Sequence, residues 1–413
     1  MNRFGEFGFS TEETRFSFGE LTGFQNRNRF IVETVNLRKI SLKKRHTIDY
    51  LSFLQPHIPK GLISSDTYTE MQHLASSFKG PITSFFGFET KLNSREARAD
   101  YLFAVSSLKN ERETLFTLIK NKSLPEEFTK RPEWQNISDF IREWTNPQSI
   151  LYHHILGMWF EFDMTESPSE PIVPCIFLHT IPLRIRPEED KDKIRWLTQQ
   201  ALPLITGEKI SDKIENNVHR VIQHLPDNAL VMDAGVMLSR QNPAIRLIVT
   251  KIHPHHIIPY LEKIGWSDQH DTFLLLLKEL EQQVTRLVLH ITVTENGIDQ
   301  KIGVECSFAS DRYHLETRWG AFFDYLIKKG LCLEEKKDAL LQFMGIEQED
   351  TQNKFDTTRY QPSVKIKNDD FSSALVRYIS HIKLVYEPNH MLIAKAYPGI
   401  RLLGCENPSS FDM

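Results

Sequence analysis

The sequence has few cysteines, no long apolar run and little net charge, and each of these absences argues against a class of site or protein. Its four cysteines, Cys175, Cys306, Cys332 and Cys405, are widely separated and form no Cys-x-x-Cys pair, which argues against a zinc site. No apolar run approaches the ~20 residues that a membrane-spanning helix needs. The first residues lack the basic, apolar and small-residue order of a secretory signal. The sequence therefore predicts a cytoplasmic protein without a membrane span.

The charge balance and composition are those of an ordinary globular enzyme. The chain has 413 residues, of which 40% are hydrophobic and 25% charged, and its formal net charge is -4. This balance suits neither a nucleic-acid coat nor a membrane protein, so nucleic acid is not expected as a partner. The sequence also lacks Gly-x-Gly-x-x-Gly, a phosphate-loop Gly-Lys-Ser/Thr and Gly-x-Ser-x-Gly, the motifs of common nucleotide-binding and serine-hydrolase sites.

What the sequence does contain is a repeated pattern of paired strands. Stretches with alternating apolar residues occur in five consecutive pairs: 85–91 with 98–105, 158–163 with 175–180, 230–238 with 244–251, 287–294 with 301–308, and 382–387 with 392–397. Alternation of this kind predicts half-buried strands. The fourth pair is separated by Glu295-Asn296-Gly297, and Asn-Gly favours the positive φ of a tight reversal. Ten antiparallel strands are therefore expected.

Between the pairs the apolar period lengthens to about 3.6 residues, which predicts helices. Helical periodicity is found at 191–204, 210–225, 271–283, 319–329 and 371–379, whereas 346–368 is polar and irregular, as in a long loop. Units of helix, strand, strand and helix thus recur five times. Residues 49–400 are predicted to form one α+β domain, preceded by an aromatic and basic arm at 1–48 and followed by a tail at 401–413.

Each predicted strand has one apolar face and one polar face. Helices bury their apolar stripes against the apolar face, so the polar residues of a closed sheet point into the barrel. An antiparallel sheet with one wet face has the same alternation, but ten strands tend to curl into closure. The polar or aromatic residues expected to line the resulting cavity are Trp159, Glu161, Asp163, His179, Asp233, His290 and Glu305.

Five such units, arranged as a ten-stranded antiparallel β-barrel with the helices outside, resemble the aromatic prenyltransferase barrel. That family consists of microbial enzymes that attach allylic groups to indoles, phenols and peptides. The resemblance covers residues 60–400 and rests on architecture, because no diagnostic short motif is present. It implies an enzyme of bacterial secondary metabolism that uses an allylic diphosphate as donor and an aromatic small molecule or peptide as acceptor.

The resemblance also implies roles for individual residues. Glu89 matches the carboxylate that takes or orients a proton of the aromatic nucleophile. Arg98 matches an arginine on the partnering strand that holds the diphosphate, and Lys395-Ala396-Tyr397 matches a Lys-x-Tyr phosphate clamp. Arg246 and Lys383 extend this predicted diphosphate cage, whose cations would stabilise the charge that develops on the leaving group.

The interior departs from the family's pattern because it carries acids where further Lys and Tyr residues are expected. The second strand pair supplies Glu161, Asp163 and His179, and the fourth is led by Glu305. A diphosphate is polyanionic, so carboxylates in the same cavity oppose its binding unless they are paired or protonated. The alternative function is a barrel whose acidic cavity binds or modifies a cationic or peptide ligand without a prenyl donor.

No cofactor is expected to be required. The sequence has no Asp-Asp-x-x-Asp motif, so magnesium stays open but has no aspartate-rich site. Asp369-Asp370 precedes a predicted helix, where acids are favoured by the helix dipole and a capping role is preferred to magnesium binding. His253-Pro254-His255-His256 lacks the i, i+4 spacing that places two imidazoles on one helix face, so no metal ligands are predicted.

Overall fold

The computed structural model describes residues 46–107, 110–164, 173–185, 191–239, 244–266, 271–309, 316–350, 355–356 and 371–404. Most of the predicted arm at 1–48 and of the tail at 401–413 lies outside these ranges, as do Cys405 and Asp369-Asp370. The first described helix begins at Thr47 and the last strand ends at Gly404.

Ten antiparallel strands form a closed barrel. They are β1 (Phe85–Lys91), β2 (Asp100–Ser106), β3 (Ile155–Phe162), β4 (Cys175–Leu183), β5 (Leu230–Met237), β6 (Ile245–Thr250), β7 (Arg286–Thr294), β8 (Gly297–Ser307), β11 (Phe371–Tyr386) and β12 (Ile393–Gly404), with β9 (Gly345–Asp350) and β10 (Phe355–Asp356) added beside β11. Neighbours in sequence pair from β1 to β8, β12 joins β11 to β1, and β8 pairs with β11. The predicted fold class, an α+β fold with a ten-stranded antiparallel barrel inside helices, is confirmed.

The fourth hairpin turns where the sequence predicted it. Thr294 pairs with Gly297 across Glu295 and Asn296, and Gly297 has a φ of 118°. Glycine adopts this φ without the steric penalty that a Cβ would bring. The Asn-Gly pair therefore fixes the register of β7 against β8.

The predicted helix at 371–379 is wrong, because this segment is the first half of β11. It pairs with β9 on one side and β12 on the other, so the predicted loop at 346–368 also begins as a strand. Leu375 and Ile379 pack in the main core, whereas Val376 and Tyr378 pack beside Phe85 in a second cluster. A strand buried on both faces has apolar residues at every spacing, and such a run cannot be distinguished from a helix by periodicity.

Twelve α-helices are found among the described residues. They are α1 (Thr47–Leu54), α2 (Ser65–Ser76), α3 (Glu111–Lys120), α4 (Glu126–Thr129), α5 (Pro132–Trp144), α6 (Ile150–His154), α7 (Leu202–Thr206), α8 (Asp212–Gln223), α9 (Pro254–Lys263), α10 (Asp271–Gln283), α11 (Trp319–Lys328) and α12 (Glu334–Phe343). The predicted helix at 191–204 is broken into a 3₁₀ turn, a π turn and the start of α7. No helix in the described ranges is both long and apolar enough to cross a membrane.

Side-chain caps begin two of the helices that flank the barrel. The Ser64 hydroxyl accepts a hydrogen bond from the Thr67 amide at 3.2 Å, and the Ser211 hydroxyl accepts one from the Ile214 amide at 3.4 Å. Each cap satisfies one of the amides that a helix start leaves without an internal partner. The serines therefore fix where α2 and α8 start.

The main core lies between the barrel wall and the helices. The outward side chains of the strands are buried there together with the apolar faces of the helices. The ring of Phe103 on β2 lies 5.2 Å from that of Phe78 and 4.9 Å from that of Phe160, between ring centroids. A fully buried phenylalanine contributes ~1.5–3 kcal/mol relative to an exposed one. Because the apolar face is used outside, the polar face of the sheet is left for the interior.

Candidate active site

A cavity of about 1020 Å³ occupies the interior of the barrel. Its wall combines aromatic rings, cations and acids from most of the barrel strands. The aromatic and charged side chains that line it are Phe85, Phe88, Trp159, Glu161, Phe177, His179, Arg184, Asp227, Asp233, Lys251, Arg286, His290, Glu305, His381, Lys383 and Tyr397. A volume of this size accommodates a drug-sized ligand.

Inward-facing glycines shape this cavity. Gly235 lies directly opposite Phe177 on β4, and a Cβ at Gly235 would stand only 2.2 Å from the Phe177 ring. A residue with a Cβ at position 235 would therefore collide with the Phe177 ring. Gly303 gives similar room to His290 and Lys383, since a Cβ there would meet them at 3.0 and 3.3 Å.

The Glu89 cluster, formed by Glu89, Lys395, Tyr397 and Lys383, lies at one end of the cavity. Glu89 Oε1 accepts a hydrogen bond from Lys395 Nζ, and Glu89 Oε2 accepts one from the Tyr397 hydroxyl. Burial favours the protonated acid, but Lys395, Lys383 and the two hydrogen bonds outweigh it and lower the pKa of Glu89 to about 2. Glu89 is therefore an anion whose two oxygens are both occupied.

Lys383 connects this cluster to the open cavity. Its Nζ donates a hydrogen bond to the Tyr397 hydroxyl at 3.2 Å. Burial and the neighbouring Arg246 lower the pKa of Lys383, while Glu89 and Glu161 act in the opposite direction. A bound anion would stabilise the charged form of Lys383, because it would offset both the burial and the like charge of Arg246.

A second group of polar side chains surrounds Glu305. His290 Nε2 is hydrogen-bonded to Glu305 Oε1, and His381 Nε2 lies 3.5 Å from the same oxygen. Burial raises the pKa of Glu305, but His381 and His290 outweigh it, so the net pKa lies well below the ordinary value. Burial and Lys383 lower the pKa of His290 to about 3. Neutral imidazole thus donates to an ionised carboxylate.

Of two further acids, Asp233 lines the cavity and Asp100 does not. Asp233 Oδ1 lies 2.8 Å from His179 Nδ1 on the neighbouring strand. Burial and nearby Glu89 raise the pKa of Asp100 to about 7, although its Oδ1 accepts a hydrogen bond from the Met164 amide at 2.9 Å.

The structure brings most of the sequence-predicted site residues to the cavity. The predicted residues found in its lining are Trp159, Glu161, His179, Asp233, His290, Glu305, Lys383 and Tyr397. Glu89, Arg246 and Lys395 lie one inward position beyond the last lining residue of their strands, where they adjoin Lys383 and Tyr397. Their chemical roles stay predictions.

Arg98 and Asp163 do not lie in the cavity lining. Arg98 Nε donates a hydrogen bond to the Met164 carbonyl at 2.9 Å, and Asp163 Oδ2 accepts one from the Ser239 hydroxyl at 2.8 Å. Both side chains are near the beginning of β2 or the end of β3 and make local contacts there. The alternation rule assigns a face to a residue, but it does not say how far along the barrel axis the cavity extends.

Several lining residues were missed by the sequence analysis, and Phe177 and Arg286 are two of them. Phe177 lies two positions before His179 and shares its face, but its apolar character hid it among core residues. Arg286 lies four positions before His290 and was lost because the strand was predicted to begin at 287, one residue late. Extending the same alternation would have found both.

No group of three or more His, Cys, Asp or Glu side chains is arranged to hold a metal ion in the described part of the chain. The rings of His253, His255 and His256 lie 4.0 to 6.3 Å apart at the start of α9. The prediction that no cofactor is required stays a prediction.

Comparison with known proteins gives structural similarity only. No protein-family model matches the sequence, and no curated protein is similar to it. The crystal structure of the prenyltransferase PriB in its apo form is 10% identical, with a TM-score of 0.47 over 85% of this chain and 94% of that one. AnaPT from Neosartorya fischeri is 11% identical, with a TM-score of 0.48 over 88% and 94%. The 5-dimethylallyltryptophan synthase from Streptomyces coelicolor is 8% identical, with a TM-score of 0.48 over 86% and 97%.

Proposed function

We propose that this barrel transfers an allylic group from a diphosphate to an aromatic small molecule or peptide inside its cavity. The observation that carries the proposal is the side-chain content of the cavity wall. Aromatic faces from Trp159, Phe177 and Tyr397 share one interior with the cations Lys383 and Arg286. An allylic diphosphate has matching parts, an apolar chain and a polyanionic leaving group.

Three of the interior acids have hydrogen-bonding partners that make them compatible with a bound diphosphate. Glu89 is neutralised by Lys395, Glu305 is hydrogen-bonded to His290, and Asp233 is hydrogen-bonded to His179. A carboxylate that is paired in this way presents less field to a second anion than an isolated one. The repulsion between interior carboxylates and a bound diphosphate, which the sequence suggested, is therefore reduced.

The proposed chemistry divides between two sets of groups. Lys383 and Tyr397, with Arg246 and Lys395 beyond them, would bind the diphosphate and stabilise the charge that it gains as the allylic C–O bond breaks. The faces of Trp159 and Phe177 would stabilise the allylic cation and exclude water from it. Arg98 is left out of this cage because it contacts Met164 outside the cavity lining.

Titration calorimetry with dimethylallyl and geranyl thiodiphosphate, which do not react, tests the proposal. The protein is expected to bind at least one of them, with and without magnesium. A hydrogen bond to a charged group contributes ~1.5–3 kcal/mol, so Lys383→Met should weaken binding about 10- to 100-fold. Lys301→Met is the matched control, because Lys301 pairs with Glu387 on the surface at 2.9 Å. Absence of binding to the native protein would refute a prenyl donor.

The alternative, a carrier or enzyme for a cationic ligand, is favoured by one observation. Two acids, Glu305 on β8 and Asp233 on β5, line the cavity, and strands β6 and β7 lie between them. Binding of spermidine or agmatine by a protein that ignores both thiodiphosphates would support this function instead.

A further inference from the structure

Two glutamates approach the same end of the cavity from neighbouring parts of the barrel wall, but only one is open to a ligand. Glu89 on β1 gives one carboxylate oxygen to Lys395 and the other to Tyr397. It is not among the side chains that line the cavity. An acceptor molecule would have to displace an ammonium or a phenol to reach it.

Glu161 on β3 is in the opposite situation. It lines the cavity two positions after Trp159, on the same face of the strand. Its carboxyl group makes no hydrogen bond or ion pair with any residue within the described ranges. Both oxygens therefore remain accessible to a molecule in the cavity.

The charges around Glu161 come from every neighbouring element. Cations are contributed by β11 and β6 and acids by β1, β2 and the residue that follows β3, while a thiol lies directly opposite on β4. These groups are Lys383, Arg246, Glu89, Asp100, Asp163 and Cys175. Burial is the largest influence, and with Glu89 and Asp163 it outweighs the two cations and raises the pKa of Glu161 to about 7. Both protonation states are then populated near neutral pH, as a general base requires.

We propose that Glu161, rather than Glu89, is the catalytic base that accepts the proton of the aromatic acceptor. This inference rests on the proposed prenyl transfer. The allylic C–O bond breaks and its electron pair leaves with the diphosphate, while an electron pair of the aromatic ring forms the new bond to the allylic carbon. The ring then loses a proton to the Glu161 carboxylate, which restores aromaticity, and the carboxyl group returns the proton to solvent. Glu89 is a positioning residue that holds Tyr397 and Lys395 in place.

The pH dependence of transfer separates the two glutamates. Dimethylallyl diphosphate is the donor, and 2-naphthol and indole are the probe acceptors, assayed between pH 5 and 9. In the native protein the rate should rise with pH around a midpoint near 7, because only ionised Glu161 accepts a proton. General-base catalysis contributes roughly 10²- to 10⁴-fold, so Glu161→Gln should lose at least ~100-fold and the pH-dependent rise with it.

Glu89→Gln is the matched variant, because it makes the same substitution at the other glutamate near this end of the cavity. It should lower the rate but retain the rise around pH 7. Loss of this rise in Glu89→Gln, or its persistence in Glu161→Gln, overturns the assignment to Glu161.

A second readout does not depend on any acceptor. The carboxyl carbons of protein labelled with [5-¹³C]glutamate are followed by NMR in the ligand-free protein, and the Glu161 signal is identified by its absence in Glu161→Gln. A midpoint near 7 supports the proposal, and one near the ordinary 4.5 overturns it. Calorimetry measures separately whether geranyl thiodiphosphate binds. If it does not bind, the proposed function fails, which is a different outcome from a wrong choice of base.

Discussion

At the scale of single residues, the end of the cavity depends on one buried ion pair. The side chains of Glu89 and Lys395 are 14% and 23% exposed, so each would be poorly solvated without the other. Removing one partner of such a pair is costly because the remaining charge is left uncompensated. The pairing of Glu89 with Lys395 is therefore expected to stabilise the fold.

Glu89→Gln is therefore expected to lower the free energy of unfolding by ~3 kcal/mol at pH 7. Because the pKa of Glu89 is lowered to about 2, its stabilising contribution is present above about pH 4.5 and is lost as the pH falls towards 2. Urea unfolding at pH 7 and pH 3 measures the difference, which should shrink in acid. Glu387→Gln, which breaks the exposed pair with Lys301, should change stability by only ~0.2–1 kcal/mol. Equal effects of the two substitutions would contradict the account.

Glu161 has the opposite dependence on pH. Its pKa of about 7 lies above the ordinary 4.5, so its favourable contribution is complete below about pH 4.5 and disappears as the pH rises through 7. Glu161→Gln should be more stable than the native protein by ~1–3 kcal/mol at pH 8 and about equal to it at pH 4.5. Urea midpoints at these two pH values check this. A variant that is less stable at pH 8 would mean that Glu161 is a paired structural acid.

The sequence predicts which residues share the inner face, because alternation along a strand is local. It does not predict that Glu89 is paired with Lys395, since these residues meet only when β12 returns to β1 at the end of the chain. The different conditions of Glu89 and Glu161 likewise depend on contacts between distant strands, so equivalent residues in the pattern became chemically distinct in the fold.

At the scale of the elements, β11 is the part that sequence periodicity misjudged. Its second half pairs with β8 and completes the barrel, while its first half pairs with β9. Burial of both faces from Ala374 to Ile379 removed the polar alternation that identified the other strands. The half that the sequence identified correctly, from Ile382 onward, keeps Lys383 on its inner face.

The pairing of β1 with β12 requires a close approach at Gly87. A Cβ at Gly87 would stand 2.6 Å from the Pro398 carbonyl oxygen, which is backbone and cannot rotate away. Gly87→Ala is expected to destabilise the protein by ~1–3 kcal/mol through strain in this strand pair. Thermal unfolding is the measurement, and Gly320→Ala on α11 is the control because nothing lies within 4 Å of its Cβ position. A Gly87→Ala protein as stable as the control would show that the two strands are further apart.

At the scale of the whole molecule, closure of the sheet is what turns a polar face into an interior. The regular order of strand pairs made ten strands predictable, but closure depends on β8 meeting β11, two strands separated by the last helices of the chain. No local pattern encodes that contact. Closure was expected only because large sheets tend to avoid exposed edge strands.

Hydrogen exchange measures closure directly. The amides of β8 and of Ile382 to Tyr386 in β11 are paired with each other, so they should be protected to the same degree as those of β5 in the middle of the wall. In an open sheet these two strands would be edges, and their outer amides would exchange with solvent. Fast exchange confined to β8 and the second half of β11 would contradict a closed barrel.

A crystal structure of the complex with geranyl thiodiphosphate is the most direct test of the proposed prenyl transfer inside the barrel. The diphosphate is expected within hydrogen-bond distance of Lys383 and Tyr397, the geranyl chain against Trp159 and Phe177, and an open position for the acceptor beside Glu161. A diphosphate bound outside the barrel, with the cavity occupied only by water, would contradict it.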